Sequence, residues 1–384
     1  MDFALGLETS ARLLYSLPSR SSSGMKIKGA VLSSSRADCR DGGVYSVDRA
    51  RFAQSLNMTD CIVEQLRSGE AFQLVRVVDS VDGTLKVVKI VSRSMIDDDA
   101  VLDGVKWLRR RRLNCPSYSK LVDNFNSPHD WYLVFECARV TLKDILARED
   151  MDPLPVRHVR AIMHQLVNAV DSLHRRSMMH LDICPAMIEI VDPSTIEERV
   201  YTEEGCFVKK VVLCCTEIRV VFYGDVGSRT DRDVGTDQYR APELVFGWAS
   251  RSGTDTFSIG CVFSELLTGR PMFPPCSEEE LYVLAKAHVF EAVLGEFPPD
   301  VVHSVSFMHQ GLFNSSDELK GFYDLSEDLR GFLCSIKTIQ EEIEDDDAEE
   351  VLRSMTMISP ADRVHLSDVL SFAYFSRAGA DSYD

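Results

Sequence analysis

Lys89 sits inside the apolar run Val87-Val88-Lys89-Ile90, a cation where its neighbours call for burial. Downstream, His180-Leu181-Asp182 runs into Ile183-Cys184-Pro185, and Tyr239-Arg240-Ala241-Pro242-Glu243 follows a strand-to-loop break. Read in that order, these three stretches fit phosphoryl transfer, a chemistry made almost entirely of positioned charges around phosphate. A lone strand lysine is ordinarily a solvated surface residue, so the position of Lys89 after a hairpin and before a helix is what singles it out. For Asp182, the agreement of His180 before it and Pro185 after it does the same.

The elements that must hold these groups are legible in the pattern. Leu74 to Asp79 and Leu85 to Val91 are β-branched segments joined through Asp82-Gly83, turn chemistry that predicts an antiparallel hairpin. Ala100 to Leu113 has helical spacing and ends in Arg109 to Arg112, cations that suit a helix C-terminus. Trp131 to Cys137 reads as a strand. Val156 to His174 places Val159, Ile162, Met163, Leu166, Val170 and Leu173 on one face at helical spacing. Short strands are expected at Ile188 to Val191 and Val211 to Tyr223, the latter taking in Cys214 and Cys215, and helices from Asp255 to Leu370. Strands first and helices after predict an α+β protein with a small strand-rich lobe and a larger helical one. The expected division is a flexible Ser-rich tail over 1–58, the strand-rich lobe and hinge over 59–150, the helical lobe over 151–377 and a short tail over 378–384.

Composition sets the class. The 384 residues carry 42 Lys plus Arg against 60 Asp plus Glu, a formal charge of −18, with 45% hydrophobic residues. That much apolar material excludes wholesale disorder, and the acidity argues against direct nucleic-acid binding, which needs basic patches. No run nears the roughly 18 apolar residues of a membrane helix, and Met1 to Leu17 lacks the basic start of a secretory signal. Asp2 and Glu8 weigh against a mitochondrial presequence, so an intracellular monomer in nucleus or cytoplasm is expected. The 11 cysteines form no Cys-x-x-Cys pair and read as free thiols. The acidic run Glu341 to Glu350 reads as a solvated loop or helix start.

Together the Lys89, Asp182 and Arg240-Ala241-Pro242-Glu243 stretches, with Asp255-Thr256-Phe257-Ser258-Ile259-Gly260-Cys261 and Asp362-Arg363, resemble a eukaryotic protein kinase domain over about residues 60 to 377. The resemblance implies a bilobal fold with Lys89 on the nucleotide phosphates and Asp182 taking up the substrate hydroxyl proton. A second aspartate would hold magnesium, and Glu243 would pair with Arg363. It also aligns Phe135 with the back of the nucleotide pocket, Glu136 to Ala138 with the hinge that meets adenine, and Asp255 with a structural carboxylate. Gly247-Trp248, Phe290-Glu291-Ala292-Val293-Leu294-Gly295 and Glu217-Ile218-Arg219-Val220 are similar to the LAMMER kinases of the CMGC group, which act on Ser/Arg-rich proteins. Ala292 stands where that signature has arginine.

The phosphate and metal positions depart from the pattern. The glycine-rich loop reads Leu66-Arg67-Ser68-Gly69-Glu70-Ala71-Phe72-Gln73-Leu74, keeping Gly69 but placing Arg67 and Phe72 where glycines let backbone N–H groups approach phosphate. Cys184 replaces a lysine and Met187 a magnesium-ligating asparagine, and a thioether is too soft for magnesium. The helix that should offer Lys89 a glutamate offers Gly104, with Asp103 beside it. The metal aspartate has two registers: Phe222-Tyr223-Gly224, which loses it, or Asp225-Val226-Gly227, which keeps Asp225. Two functions follow. One is a pseudokinase with an impaired ATP and magnesium site that binds a protein partner; the other is an active Ser/Thr or dual-specificity kinase on protein substrates. Thr230 and Thr236 are phosphosite candidates by position.

Overall fold

The computed structural model describes residues 61–68, 72–79, 83–110, 117–137, 140–151, 153–201, 207–222, 235–248, 252–276 and 281–376. The tails expected over 1–58 and 378–384 lie outside them, as do Gly69, Ala138 and Asp225.

Five antiparallel strands build the first lobe: β1 (Cys61–Ser68), β2 (Phe72–Val78), β3 (Leu85–Ser92), β4 (Leu121–Asn126) and β5 (Asp130–Glu136), in spatial order β1-β2-β3-β5-β4. The β2–β3 turn forms as its residues predict. Gly83 takes φ +68°, and the N–H of Asp79 donates to the carbonyl of Thr84 at 2.9 Å. Alternation sorts the side chains. Val75, Val77, Val88, Ile90, Tyr132 and Val134 form one core on one face. Val91, Leu133 and Phe135 fall on the other, against Val101, Val105 and Leu108 of α1 (Asp98–Arg110). Lys89 lies opposite Leu74 and Leu133 in the ladders, so it emerges on that second face among apolar residues.

The helical lobe is organised by α3 (Val156–His174) and α5 (Ser252–Thr268), with α2 (Leu142–Leu146) and α4 (Pro242–Phe246) as short links. All six residues expected to face inward on α3 are buried. Residues 254–266 of α5 are buried on every side, as a central core helix requires. Its Gly260 lets α10 (Asp346–Thr356) approach so closely that an added Cβ would meet the Thr356 methyl at 2.6 Å. Between them come α6 (Tyr282–Leu294), α7 (Pro299–Met308), α8 (Glu327–Leu333) and α9 (Ile339–Glu342). The acidic run starts a helix: the Asp345 carboxylate caps α10, accepting from the N–H groups of Asp347 and Ala348.

One strand expectation is corrected. Val211 to Tyr223 is not a single strand but the end of β8 (Phe207–Leu213), paired with β7 (Thr195–Tyr201), and then β9 (Ile218–Val220), paired with β6 (Ile188–Ile190). The break falls at residues 214–217, so Cys214 and Cys215 lie in the link between two strands and not in a strand. Gln165 of α3 supplies the reason. Its amide donates to the Thr216 carbonyl at 2.8 Å and accepts from the Ile218 N–H at 3.0 Å, satisfying backbone groups that a ladder would otherwise take. Among the described residues no helix is long and apolar enough to cross a membrane.

Candidate functional site

The loop carrying Asp182 is shaped from below by a buried carboxylate. Asp255, in the first turn of α5 and fully buried, accepts from the N–H groups of His180 and Leu181, each at 2.7 Å, and meets His174 Nε2 at 2.8 Å. Leu181 takes φ +63°. A non-glycine residue pays for that conformation, and the two charge-assisted bonds to Asp255 hold it there. His180 faces the other way. Its Nδ1 accepts from the Asp182 N–H at 3.2 Å, which leaves Nε2–H to donate to the Val221 carbonyl at 2.8 Å. One nitrogen braces the loop internally and the other fixes it to the segment that follows β9.

Asp182 Oδ1 accepts two bonds from Thr236, from the backbone N–H at 2.8 Å and from the hydroxyl at 2.9 Å. Thr236 thus positions the carboxylate. The sequence flagged it only as a phosphosite candidate, and its place between Gly235 and the Tyr239-Arg240 stretch was the available signal. Beyond it, Asp237 ties this segment to α6 by accepting from Tyr282 at 2.7 Å and Lys286 at 3.0 Å.

Two of the positions that follow Asp182 in the chain carry sulfur side chains, Cys184 and Met187. Cys184 is buried, and its Sγ lies 3.5 Å from the Thr236 hydroxyl. Burial first, and then the negative charge of Asp182, push its thiol up to about 12, so it is neutral and protonated at pH 7. It offers no positive charge. Met187 packs against the apolar core, and its carbonyl accepts from the Val221 N–H at 2.8 Å. The residue immediately past that bond, Phe222, is buried with its ring centroid 5.6 Å from that of His180. Neither a thioether nor a phenyl ring is a magnesium ligand. Among the described residues no group of three or more His, Cys, Asp or Glu is placed to hold a metal ion.

Lys89 is 3% exposed, and its ammonium lies 5.0 Å from the centroid of Phe72. An aromatic face attracts a cation by its quadrupole. The residue standing in place of a loop glycine therefore lies against Lys89. Asp103 is three-quarters exposed and pairs with Lys106 at 2.8 Å on the outer surface of α1. At the hinge, Glu136 ends β5, its N–H donating to the Lys120 carbonyl at 2.9 Å. Its carboxylate lies 3.7 Å from Arg219. Glu243 and Arg363 form the expected pair as a bidentate fork, at 2.7 and 2.8 Å, with both side chains almost wholly buried.

The structure therefore brings Asp182 and Asp255 together, places Lys89 on the inner face of the sheet, and sets Glu243 with Arg363 as a separate support. Cys184 and Met187 follow Asp182 as sulfur side chains, and Gly69, Ala138 and Asp225 lie outside the described residues. The sequence reading missed Glu189, a carboxylate at the centre of β6 that is only 2% exposed. A charged residue between two isoleucines was the available signal.

Residues 62–204 and 206–375 match the family described as protein kinase domain. The dual specificity protein kinase lkh1 of Schizosaccharomyces pombe is 24% identical over 358 residues, covering 88% of this chain and 49% of that protein. The serine/threonine-protein kinase AFC2 of Arabidopsis thaliana is 25% identical over 386 residues, covering 94% of this chain and 86% of AFC2. The chain spans about half the length of lkh1. A crystal structure of a kinase domain superposes with a TM-score of 0.66 at 18% identity, covering 84% of this chain and 96% of that one. This last likeness concerns the fold.

Proposed function

The chain belongs to the protein kinase domain family, and from that premise we propose that it is a LAMMER-like pseudokinase, a binding or scaffolding module for a protein partner. The observation that carries this reading is the pair of uncharged sulfur side chains flanking the Asp182 loop. Cys184 is a buried neutral thiol where a cation would offset phosphoryl charge, and Met187 is a packed thioether where an oxygen ligand would hold metal. Phosphoryl transfer is catalysed by positioning and electrostatic stabilisation, so losing the loop cation and a metal ligand each removes part of it. Phe72 over Lys89 supports the same reading at the phosphate end. A site in nucleus or cytoplasm and a monomeric state belong to this proposal.

A second reading has its own support. Asp182 keeps its place and is oriented by Thr236, and Lys89 is buried. With Asp225 as the metal ligand, Gly69 in the loop and the Glu136 to Ala138 hinge on adenine, these groups would make an ATP-dependent Ser/Thr or dual-specificity kinase. Its substrates would be proteins, with Ser/Arg-rich ones the first to try.

Thermal-shift titration with ATP plus magnesium, plus manganese and plus chelator, on the wild type and Lys89→Met, separates the two. No shift in any condition would mean a nucleotide-free pseudokinase. A shift that needs metal and vanishes in Lys89→Met would mean a working pocket and favour the second reading.

A further inference from the structure

Ile188 and Ile190 of β6 face the core, so strand alternation turns Glu189 to the opposite side. Its cross-strand partner on β9 is Arg219, which the same alternation places beside it, because Ile218 and Val220 face the core. Arg219 lies 3.8 Å from the Glu189 carboxylate and 3.7 Å from that of Glu136, and the Ser119 hydroxyl donates to Glu189 at 3.1 Å.

The cluster lies beneath the hinge. Backbone bonding places it there: Thr141 bridges to Glu189, and the Ile190 N–H donates to the Val140 carbonyl at 3.0 Å, so the chain leaving the hinge runs directly over β6. The thiol of Cys137, in the hinge itself, senses the carboxylate. Burial pushes it up to about 11, and the charge of Glu189 adds to the effect. Glu136, Cys137 and Ser119 belong to the strand-rich side and Glu189 and Arg219 to the helical side. The cluster therefore joins the two sides beneath the hinge.

We propose that Glu189 is the specificity-determining residue at the base end of the cleft, a buried carboxylate that excludes an adenine ring by offering it charge where it needs an apolar surface. A purine binds by laying its flat face on apolar side chains. Laid on Glu189, that electron-rich face would meet a negative charge and strip the carboxylate further of solvent. The Arg219 guanidinium beside Glu189 lies as near to Glu136, so its charge is shared between two acids. Ser119, Glu189, Arg219 and Glu136 act instead as a polar link between the lobes.

This inference rests on the reading of Glu136 to Ala138 as the hinge of a nucleotide cleft. It is independent of the phosphate end, where Phe72 lies against Lys89. Adenosine, which has no phosphates, reads the base end alone. Equilibrium dialysis with radiolabelled adenosine on the full chain would compare wild type, Phe72→Gly, Glu189→Gln and Glu189→Leu, with circular dichroism to establish folding. The wild type and Phe72→Gly are expected to bind no tighter than about millimolar, and Glu189→Leu about tenfold tighter or more. Should Glu189→Leu lose its fold, the near-isosteric Glu189→Gln carries the test, with a gain of about threefold expected from removing the charge. Folded Glu189 variants that match the wild type would overturn the proposal, and so would micromolar adenosine binding by the wild type. Micromolar adenosine binding by a wild type that transfers no phosphate from ATP would overturn this inference and leave the pseudokinase reading standing, whereas phosphate transfer from ATP would overturn both.

Discussion

Replacing Arg363 by methionine isolates the buried support beneath the candidate site. The guanidinium makes five hydrogen bonds: two to the Glu243 carboxylate and one each to the carbonyls of Met357, Gly253 and Ile358, over 2.7 to 3.1 Å. Methionine fills much of the same volume and replaces none of them. Glu243, 1% exposed, would keep only the Thr254 hydroxyl at 2.7 Å. Stranding a buried charge in this way costs about 3–5 kcal/mol. Unfolding entropy near 2.1 cal/mol/K per residue gives about 0.65 kcal/mol/K for roughly 300 ordered residues, so Tm should fall by about 5–8 °C. Thermal and urea unfolding of Arg363→Met, Glu243→Leu and the double variant would measure it. The double variant should recover about 2 kcal/mol or more relative to the sum of the singles, because it leaves no stranded charge. A Tm within about 1 °C of wild type for Arg363→Met, or strict additivity, would refute this account of the pair.

Asp255→Asn keeps the shape but gives up the charge on two backbone donors that hold Leu181 at positive φ. It should cost about 2–4 kcal/mol in urea unfolding. Gly260→Ala drives a methyl into the Thr356 side chain and should lower stability by about 1–3 kcal/mol, visible as a lower Tm. Unfolded thiols ionise near 9, whereas those of Cys184 and Cys137 are held up to about 12 and about 11. The folded state therefore keeps protons that the unfolded state releases, and stability should decline as pH rises above about 9 in a urea series, less steeply in Cys184→Ser. At pH 8, alkylation of native protein should mark the exposed Cys214 and Cys334 and spare Cys184.

The sequence carried the fold wherever one local rule governed. The Gly83 turn, the apolar stripe of Val156–His174 and the β-branched strand Leu85 to Val91 each depend on neighbours a few residues away, and each formed as read. The strand expected over Val211 to Tyr223 failed because Gln165, some fifty residues upstream, takes the backbone groups at the break. The site divides in the same way. Cys184 and Met187 were legible as chemical substitutions, and Glu243 with Arg363 as a pair, because motifs fix their positions. Phe72 over Lys89, Thr236 on Asp182 and Glu189 beneath the hinge are contacts across the tertiary structure. Only the folded chain brings them together.

Phosphate transfer is the most direct test of the central claim that this kinase fold lacks the charges for phosphoryl transfer. Purified full-length protein would be incubated with γ-labelled ATP, magnesium or manganese, and Ser/Arg-rich and generic protein acceptors, beside Asp182→Asn. The account predicts incorporation at background in both proteins under every condition. Incorporation by the wild type that disappears in Asp182→Asn would contradict it and establish an active kinase.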